Sequence, residues 1–505
     1  MFRQHRPTDT GGNDCACAIE RLIQVSSFHS NEDDCVCFPG LAGKLGFLPA
    51  QATRWQAAPA VLVLPLTSEK TLLVNPETGG QVAVFDRTEL ARFQVFEVSP
   101  KLCDDSALVS TWAELGLLTP ATSDCACAAT EIDSRARQTI PTVLTAWLQL
   151  TDRCNLRCDY CYLPHVSEEM SLETGMAAVD AVFRSARANG FGQVKFKYSG
   201  GEPLLRFPLI LELQRYAQIL ADEQGLGLEG VVLSNGTLLM PEMVAQMREL
   251  GLRLMLSLDG LGAVHDAQRR YVGGRGSFTD VAEAVDLALA GGLTPQISVT
   301  VSGRTAAALP ETLAWILARD LPFSLNFYRE NDFSAGQADL RLDEQKIIAG
   351  MLAGFRVLEE NLPRRPFLSG LIDRANLAFS HSHTCGVGQN YLVFDQHGRV
   401  AKCQMTLGQP LTDVSAADPL AVLRADSLGV QNLPVDEKKG CGECPWKAWC
   451  AGGCPLATYR ATGQYDSRSP NCRIYQALFP EALRLEGLRL LKYQDDPQVV
   501  EKIIV

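Results

Sequence analysis

The seventeen cysteines, and where they fall, constrain this 505-residue chain more than any other feature. Seven lie between Cys15 and Cys127, three between Cys154 and Cys161, and seven between Cys385 and Cys472; the interval 162–384 has none. Grouped cysteines in a large chain without a secretion signal are metal ligands or catalytic groups more often than disulfides. Residues Met1 to Thr10 carry Arg3, His5 and Arg6, but no apolar run follows, so the sequence predicts no secretory signal. No stretch approaches the roughly 20 apolar residues of a membrane span. These readings predict a cytoplasmic protein with no membrane partner. The net charge of −12 also argues against nucleic acid as a partner, since that needs a basic surface.

The length implies several domains. Residues 1–135 form a cysteine-containing N-terminal region in which Ala60–Pro65, Thr71–Val74 and Val82–Phe85 read as short strands and Ser106–Leu118 as a helix, a small α/β module. Over 140–335, strand-like runs (Val143–Leu150, Val194–Tyr198, Gly230–Leu233, Arg253–Leu258, Gln296–Val301 and Phe323–Phe327) alternate with amphipathic stretches. Those stretches are Leu172–Ala188, Leu209–Gln224, Pro241–Leu250, Phe278–Leu289 and Leu309–Ala318. Such alternation predicts an α/β fold with a parallel sheet, here a partial (β/α)6 TIM-like barrel whose site lies at the C-terminal strand ends. Linking helices are expected over 336–375, a cysteine-rich domain over 376–475 and a C-terminal helix over 476–505, with its helical pattern running Tyr475–Tyr493.

Cys154, Cys158 and Cys161 follow the first barrel strand as C-x3-C-x2-C. Three thiolates from one loop can hold a [4Fe–4S] cluster and leave one iron open to bind substrate; a zinc site is the other reading of the spacing. Further short motifs fall at later strand ends: Tyr198-Ser199-Gly200-Gly201-Glu202-Pro203, Ser234-Asn235-Gly236-Thr237, Ser257-Leu258-Asp259-Gly260 and His265-Asp266-Ala267-Gln268-Arg269. Glycines let backbone approach a ligand closely, and Glu202 supplies a charged acceptor.

Taken in order, these motifs resemble the radical S-adenosylmethionine (SAM) superfamily over residues 140–330. The resemblance implies that Cys154, Cys158 and Cys161 hold a catalytic [4Fe–4S] cluster. It also implies that Tyr160, Gly200, Gly201, Glu202, Ser234, Asn235, Ser257, Asp259 and Arg269 serve SAM, with Glu202 near the methionine amino group and Arg269 paired to the carboxylate. The implied chemistry is one-electron cleavage of SAM, giving a 5′-deoxyadenosyl radical that abstracts hydrogen, with a flavodoxin- or ferredoxin-like reductant as partner.

The C-terminal block, Cys385, Gly398, Cys403, then Cys441-x2-Cys444-x5-Cys450-x3-Cys454 and Cys472, resembles the seven-cysteine SPASM domain, which binds two auxiliary [4Fe–4S] clusters. The resemblance assigns Cys385, Cys403 and Cys454 to the first and Cys441, Cys444, Cys450 and Cys472 to the second. The first then has an iron open to a substrate thiolate, unless His381, His383, His397 or an N-terminal cysteine fills it. Where sulfatase-maturing members carry an aspartate base after the second cysteine, this chain has Gln404, which argues against formylglycine formation.

Asp14-Cys15-Ala16-Cys17, Asp34-Cys35-Val36-Cys37 and Asp124-Cys125-Ala126-Cys127 share the form D-C-x-C, suited to an extra metal centre or a thiol substrate, or else simply buried small side chains. Residues 60–130 are a candidate leader-peptide domain working by strand addition. The expected function is a radical SAM maturase that modifies a peptide or small protein, through a thioether or another cross-link. A radical enzyme for a small molecule, and a non-catalytic iron–sulfur carrier, are the alternatives.

Overall fold

The computed structural model describes residues 54–78, 82–98, 106–121 and 142–496, with the backbone of Ile23–Gln24. The D-C-x-C cysteines and Cys103 lie outside the described residues. Strand β1 is Ile23–Gln24, and β2 is Trp55–Ala57. A hairpin, β3 (Leu62–Pro65) with β4 (Lys70–Val74), leads into β5 (Val82–Asp86), giving a sheet of order β1-β5-β4-β3. Helix α1 (Arg87–Val98) follows at once, and α2 (Ser106–Glu114) precedes β6 (Leu118–Pro120), which pairs with β2.

The sequence pattern missed α1. Exposed Val95 and Val98 blur its apolar stripe, and its start signal is local: Asp86 Oδ1 accepts the N–H groups of Thr88 and Glu89, each at 2.8 Å. Helix α2 is shorter than expected because Gly116 turns the chain at φ +66°, freeing Leu118 for a strand. Trp112 is buried in this module against the rings of Phe85 (5.2 Å), Phe93 (5.7 Å) and Phe96 (6.1 Å).

The main sheet has the order β14-β13-β11-β10-β9-β7-β15-β16-β17. Its barrel strands are β7 (Val143–Gln149), β9 (Gln193–Ser199), β10 (Gly227–Ser234), β11 (Leu252–Ser257), β13 (Gln296–Val301) and β14 (Phe323–Phe327), all parallel and adjacent in chain order. Between them run α3 (Leu172–Ala188), α4 (Phe207–Gln224), α5 (Pro241–Glu249), α7 (Phe278–Ala290) and α8 (Leu309–Ala318), with short β8 (Leu156–Cys158), α6 (Ala263–Gln268) and β12 (Arg269–Tyr271) at the site end. Proline in the first turn starts α4, α5 and α8, where its missing N–H costs nothing. One face of each strand carries the core: Leu144, Ala146 and Leu148 of β7, and Val194, Phe196 and Tyr198 of β9. The result is the expected α/β partial barrel of six strand–helix units.

A single helix, α9 (Glu344–Glu360), stands where linking helices are expected, and turns follow it. The cysteine-rich segment then extends the barrel sheet itself. Strand β15 (Tyr391–Phe394) lies parallel to β7, and β16 (Arg399–Ala401) and β17 (Thr412–Asp413) continue antiparallel. After α10 (Pro419–Ala425), α11 (Lys447–Cys450) and α12 (Pro455–Thr462) comes α13 (Cys472–Lys492), which starts three residues before the Tyr475 expected from its pattern. Helix α13 docks the N-terminal module: a Cβ on Gly487 would lie 2.8 Å from the Leu66 methyls. Among the described residues no helix is long and apolar enough to cross a membrane.

Trp112→Ala removes the centre of the aromatic cluster. It is expected to cost the module about 3–5 kcal/mol, read as a lower denaturant midpoint for Trp and near-UV signals, with the barrel transition unmoved.

Candidate radical SAM site

The loop after β7 is fixed from three sides. Its second limb, β8, pairs antiparallel with β12, placing Cys158 opposite Arg269. Between the first two cysteines, the N–H of Leu156 points at Cys154 Sγ at 3.4 Å; beyond the second, the N–H of Cys161 donates to Cys158 O at 3.0 Å. Asn235, after β10, donates from Nδ2 to Asn155 Oδ1 at 2.9 Å and lies 3.8 Å from Cys154 Sγ.

The third side is the turn after β9. Gly201 donates its N–H to Thr151 O at 2.6 Å, and Glu202 donates its own to Arg153 O at 2.8 Å. A Cβ on Gly200 would sit 2.6 Å from Thr151 O, and one on Gly201 2.3 Å from Arg153 O. The glycines therefore admit the cysteine loop's own backbone, a closer partner than the ligand expected from the sequence. Glu202 is fully buried. Its Oε1 accepts from Leu204 N–H (2.9 Å) and Ser234 Oγ (2.8 Å), and its Oε2 accepts from Asn235 N–H (2.8 Å). Burial raises its carboxyl against these donors.

Asp259, at the end of β11, is a second hub. Its Oδ2 accepts from Tyr160 (2.7 Å), Gln268 (2.9 Å) and Arg269 (3.3 Å), and its Oδ1 accepts the Thr300 N–H at 2.8 Å. Burial alone would raise its pKa, but Arg269, His265 and these donors outweigh it and hold the carboxylate below its usual range. Arg269 also reaches the Tyr160 hydroxyl at 2.5 Å, and its buried Nε has no hydrogen-bond partner. Such an orphaned guanidinium N–H suits an anion at the site. His265 is buried: its Nδ1 accepts the Asp259 N–H at 3.3 Å and its Nε2 faces Ser277 Oγ at 3.0 Å, and burial pulls it down to about 4. Ser257 is half-buried at the end of β11. The structure thus gathers Tyr160, Asp259 and Arg269 into one cluster and Glu202, Ser234 and Asn235 into another, both against the cysteine loop. Gln268, Thr300 and Ser277 complete the networks; only Gln268 and Ser277 stand in or beside the sequence motifs.

Burial pushes the Cys154 thiol up to about 11 and Cys158 up to about 12, so each needs a positive metal to ionise cheaply. Among the described residues no three His, Cys, Asp or Glu side chains converge as a single-ion site would require. Thiolates of a four-iron cluster bind different irons and ring a volume instead.

The C-terminal cysteines separate into two cavities. One is lined by Cys385, Cys403 and Cys454 with Gln404, Tyr391 and barrel residues Lys195 and Lys197. The other is lined by Cys441, Cys444, Cys450 and Cys472. These are the two sets assigned by resemblance. Burial pushes Cys403 and Cys450 up to about 12. Burial also pushes Cys454 up, but Arg329 and Arg374 outweigh it, and this thiol sits below its ordinary value. Arg329 is held against buried Asp373 at 2.8 and 2.9 Å. His381 donates its backbone N–H to Ala448 O, and His397 meets Glu168 at 2.9 Å; neither lines the first cavity, and nor does His383.

A partial parallel barrel with a three-cysteine loop after its first strand and a glycine-rich turn after its second defines a class of cluster-dependent enzymes. Residues 148–316, about a third of the chain, match the Radical SAM superfamily model. The chain is 27% identical over 357 residues to the AdoMet-dependent heme synthase of Methanosarcina barkeri, covering 65% of this chain and 95% of that protein. It is 26% identical over 322 residues to the serine-type anaerobic sulfatase-maturating enzyme of Klebsiella aerogenes, covering 60% of this chain and 77% of that one. The solved structure of anSMEcpe with bound AdoMet and Cp18Cys peptide shares its fold, at TM-score 0.56 and 21% identity, over 69% of this chain and 99% of that one. The family implies SAM and a [4Fe–4S] cluster, and the three thiols, Asn235 and the orphaned Arg269 N–H fit that pair.

Gly201→Ala is expected to displace the loop and remove about four irons per chain, measured by iron assay on the reconstituted protein. Neutral buried His265 makes stability depend on pH in a definite direction. Its folded pKa lies below that of the unfolded chain, so its contribution is intact above pH ~6.5 and falls away as pH drops toward about 4. The loss is on the order of 3 kcal/mol. His265→Gln is expected to melt lower at neutral pH with a shallower acid slope, measured as thermal midpoint against pH.

Proposed function

We propose that this chain is a maturase that modifies a peptide or protein substrate with three [4Fe–4S] clusters, one for SAM and two auxiliary. The observation that carries the reading is the division of seven cysteines into two separate cavities, three in one and four in the other. With its cluster and SAM bound, the barrel site supplies a 5′-deoxyadenosyl radical that takes hydrogen from an unactivated carbon. The chain's own residues position that chemistry: Cys154, Cys158 and Cys161 hold the cluster, Asn235 and Glu202 fix their loop, and Arg269 offers an N–H to the SAM carboxylate.

The peptide class is supported by the sulfatase-maturating relative and by the peptide bound in anSMEcpe. Gln404 lines the first cavity, and its Oε1 accepts from Tyr391 at 3.2 Å. An amide there cannot serve as a general base, so the product is a cross-link such as a thioether rather than formylglycine. Three thiols leave an iron for a substrate thiolate. The order β1-β5-β4-β3 places β1 of this chain on β5 and β3 at the other edge, where a leader would add as a further strand. A second reading, a small-molecule substrate, draws on the heme-synthase relative.

Anaerobic reduction with dithionite and SAM is expected to yield methionine and 5′-deoxyadenosine in the wild type and neither in Cys158→Ala. Added L-cysteine is expected to change the electron paramagnetic resonance (EPR) signal of the first auxiliary cluster. Absence of SAM cleavage would remove the enzymatic reading; an EPR signal indifferent to the thiol would remove the open iron.

A further inference from the structure

The two cysteine cavities share one short piece of backbone, Cys450-Ala451-Gly452-Gly453-Cys454. Its first residue lines the four-cysteine cavity and its last lines the three-cysteine cavity. All three residues between them are buried and left-handed, at φ 43°, 79° and 72°. Glycine adopts that conformation freely; Ala451 does not, and it is held there by its surroundings.

Those surroundings centre on Lys438. The residue is 3% exposed, and its side chain lies across the segment so closely that a Cβ on Gly452 would clash with its Cδ. Its Nζ donates to Ala451 O at 2.6 Å. The Thr384 hydroxyl, one residue before Cys385, lies 2.9 Å from the same carbonyl and 2.8 Å from Gly453 O. Lys438 forms no ion pair with a carboxylate among the described residues, although other buried cations here do: Lys402 meets Asp426 at 2.8 Å, Arg489 meets Glu486 at 2.7 Å, and Arg329 meets Asp373 at 2.8 Å. A buried ammonium with no carboxylate is costly unless another negative charge is near. The thiols within its electrostatic reach are Cys385 and Cys454 of one set and Cys441 and Cys450 of the other.

We propose that Lys438 is the shared counter-charge of both auxiliary clusters, raising the reduction potential of each. This rests on the three-cluster reading above. A one-electron reduction adds one negative charge to a cluster, and an ammonium placed between the two sites stabilises that added charge on either of them. Arg329 is different: it reaches only the first set, through Cys454, and Asp373 offsets its charge.

The test is an EPR-monitored redox titration of the full chain in a Cys154/Cys158/Cys161→Ala background, so that only the auxiliary clusters report. Lys438→Met is expected to lower the potentials of both clusters by at least about tenfold in reduction equilibrium, ~59 mV each for one electron. Lys438→Arg is expected to keep both near wild type, and Arg329→Gln to move the first cluster alone. A Lys438→Met protein in which neither potential falls, or only one does, overturns the proposal. Should Lys438→Met fail to hold its clusters, Lys438→Gln is read by the same criterion. If the unmutated background itself lacks about eight irons per chain, the three-cluster reading fails first, and the two failures are told apart.

Discussion

The contact on which this site depends is backbone against backbone: the turn at Gly200-Gly201-Glu202 pressed onto the carbonyls of Thr151 and Arg153. It needs no side chain at two positions, and it sets the height of the cysteine loop above the sheet. Glu202 then converts the contact into a network, because its buried carboxylate ties the turn to Leu204, Ser234 and Asn235. Asn235 in turn touches the loop at Asn155. Asp259 performs the matching task on the other flank through Tyr160, Gln268 and Arg269. Both carboxylates are tied into the protein by these donors, while Glu202 Oε2 and Asp259 Oδ1 each accept only one.

The auxiliary region is built onto the same sheet. Strand β15 continues the barrel beyond β7, which sets Cys385 and Cys403 on either side of a strand whose register is fixed by Val143–Gln149. The first cavity therefore has one wall of thiols and one of barrel residues, including buried Lys195 and Lys197. A cluster held there faces the barrel interior directly. The second cavity is enclosed between α11 and the start of α13, farther from the barrel strands.

Much of this was legible from residue order. The six barrel strands announce themselves as apolar runs, because parallel strands covered by helices need them; the C-x3-C-x2-C loop shows in its spacing, and the two cysteine sets are what the SPASM resemblance implies. Three things were not legible. Helix α1 begins at Asp86, a cap whose side chain looks like any turn residue. The role of Gly200 and Gly201 points to the loop's own backbone, which no pattern distinguishes from a ligand. Arg329 and Asp373 lie 44 residues apart, and Lys438, though only 13 residues from Ala451, gives no sign in the sequence of being buried. The last helix, expected from Tyr475, begins instead at Cys472, a residue assigned by resemblance to the second cysteine set.

The account stands on there being one loop cluster and two auxiliary clusters in a single chain. Iron and sulfide counted on anaerobically reconstituted protein test this most directly, in the wild type and in Cys154/Cys158/Cys161→Ala. The account predicts about twelve irons falling to about eight. A wild-type count near four, with bound zinc, would contradict it and leave a simpler radical enzyme with a zinc-binding tail.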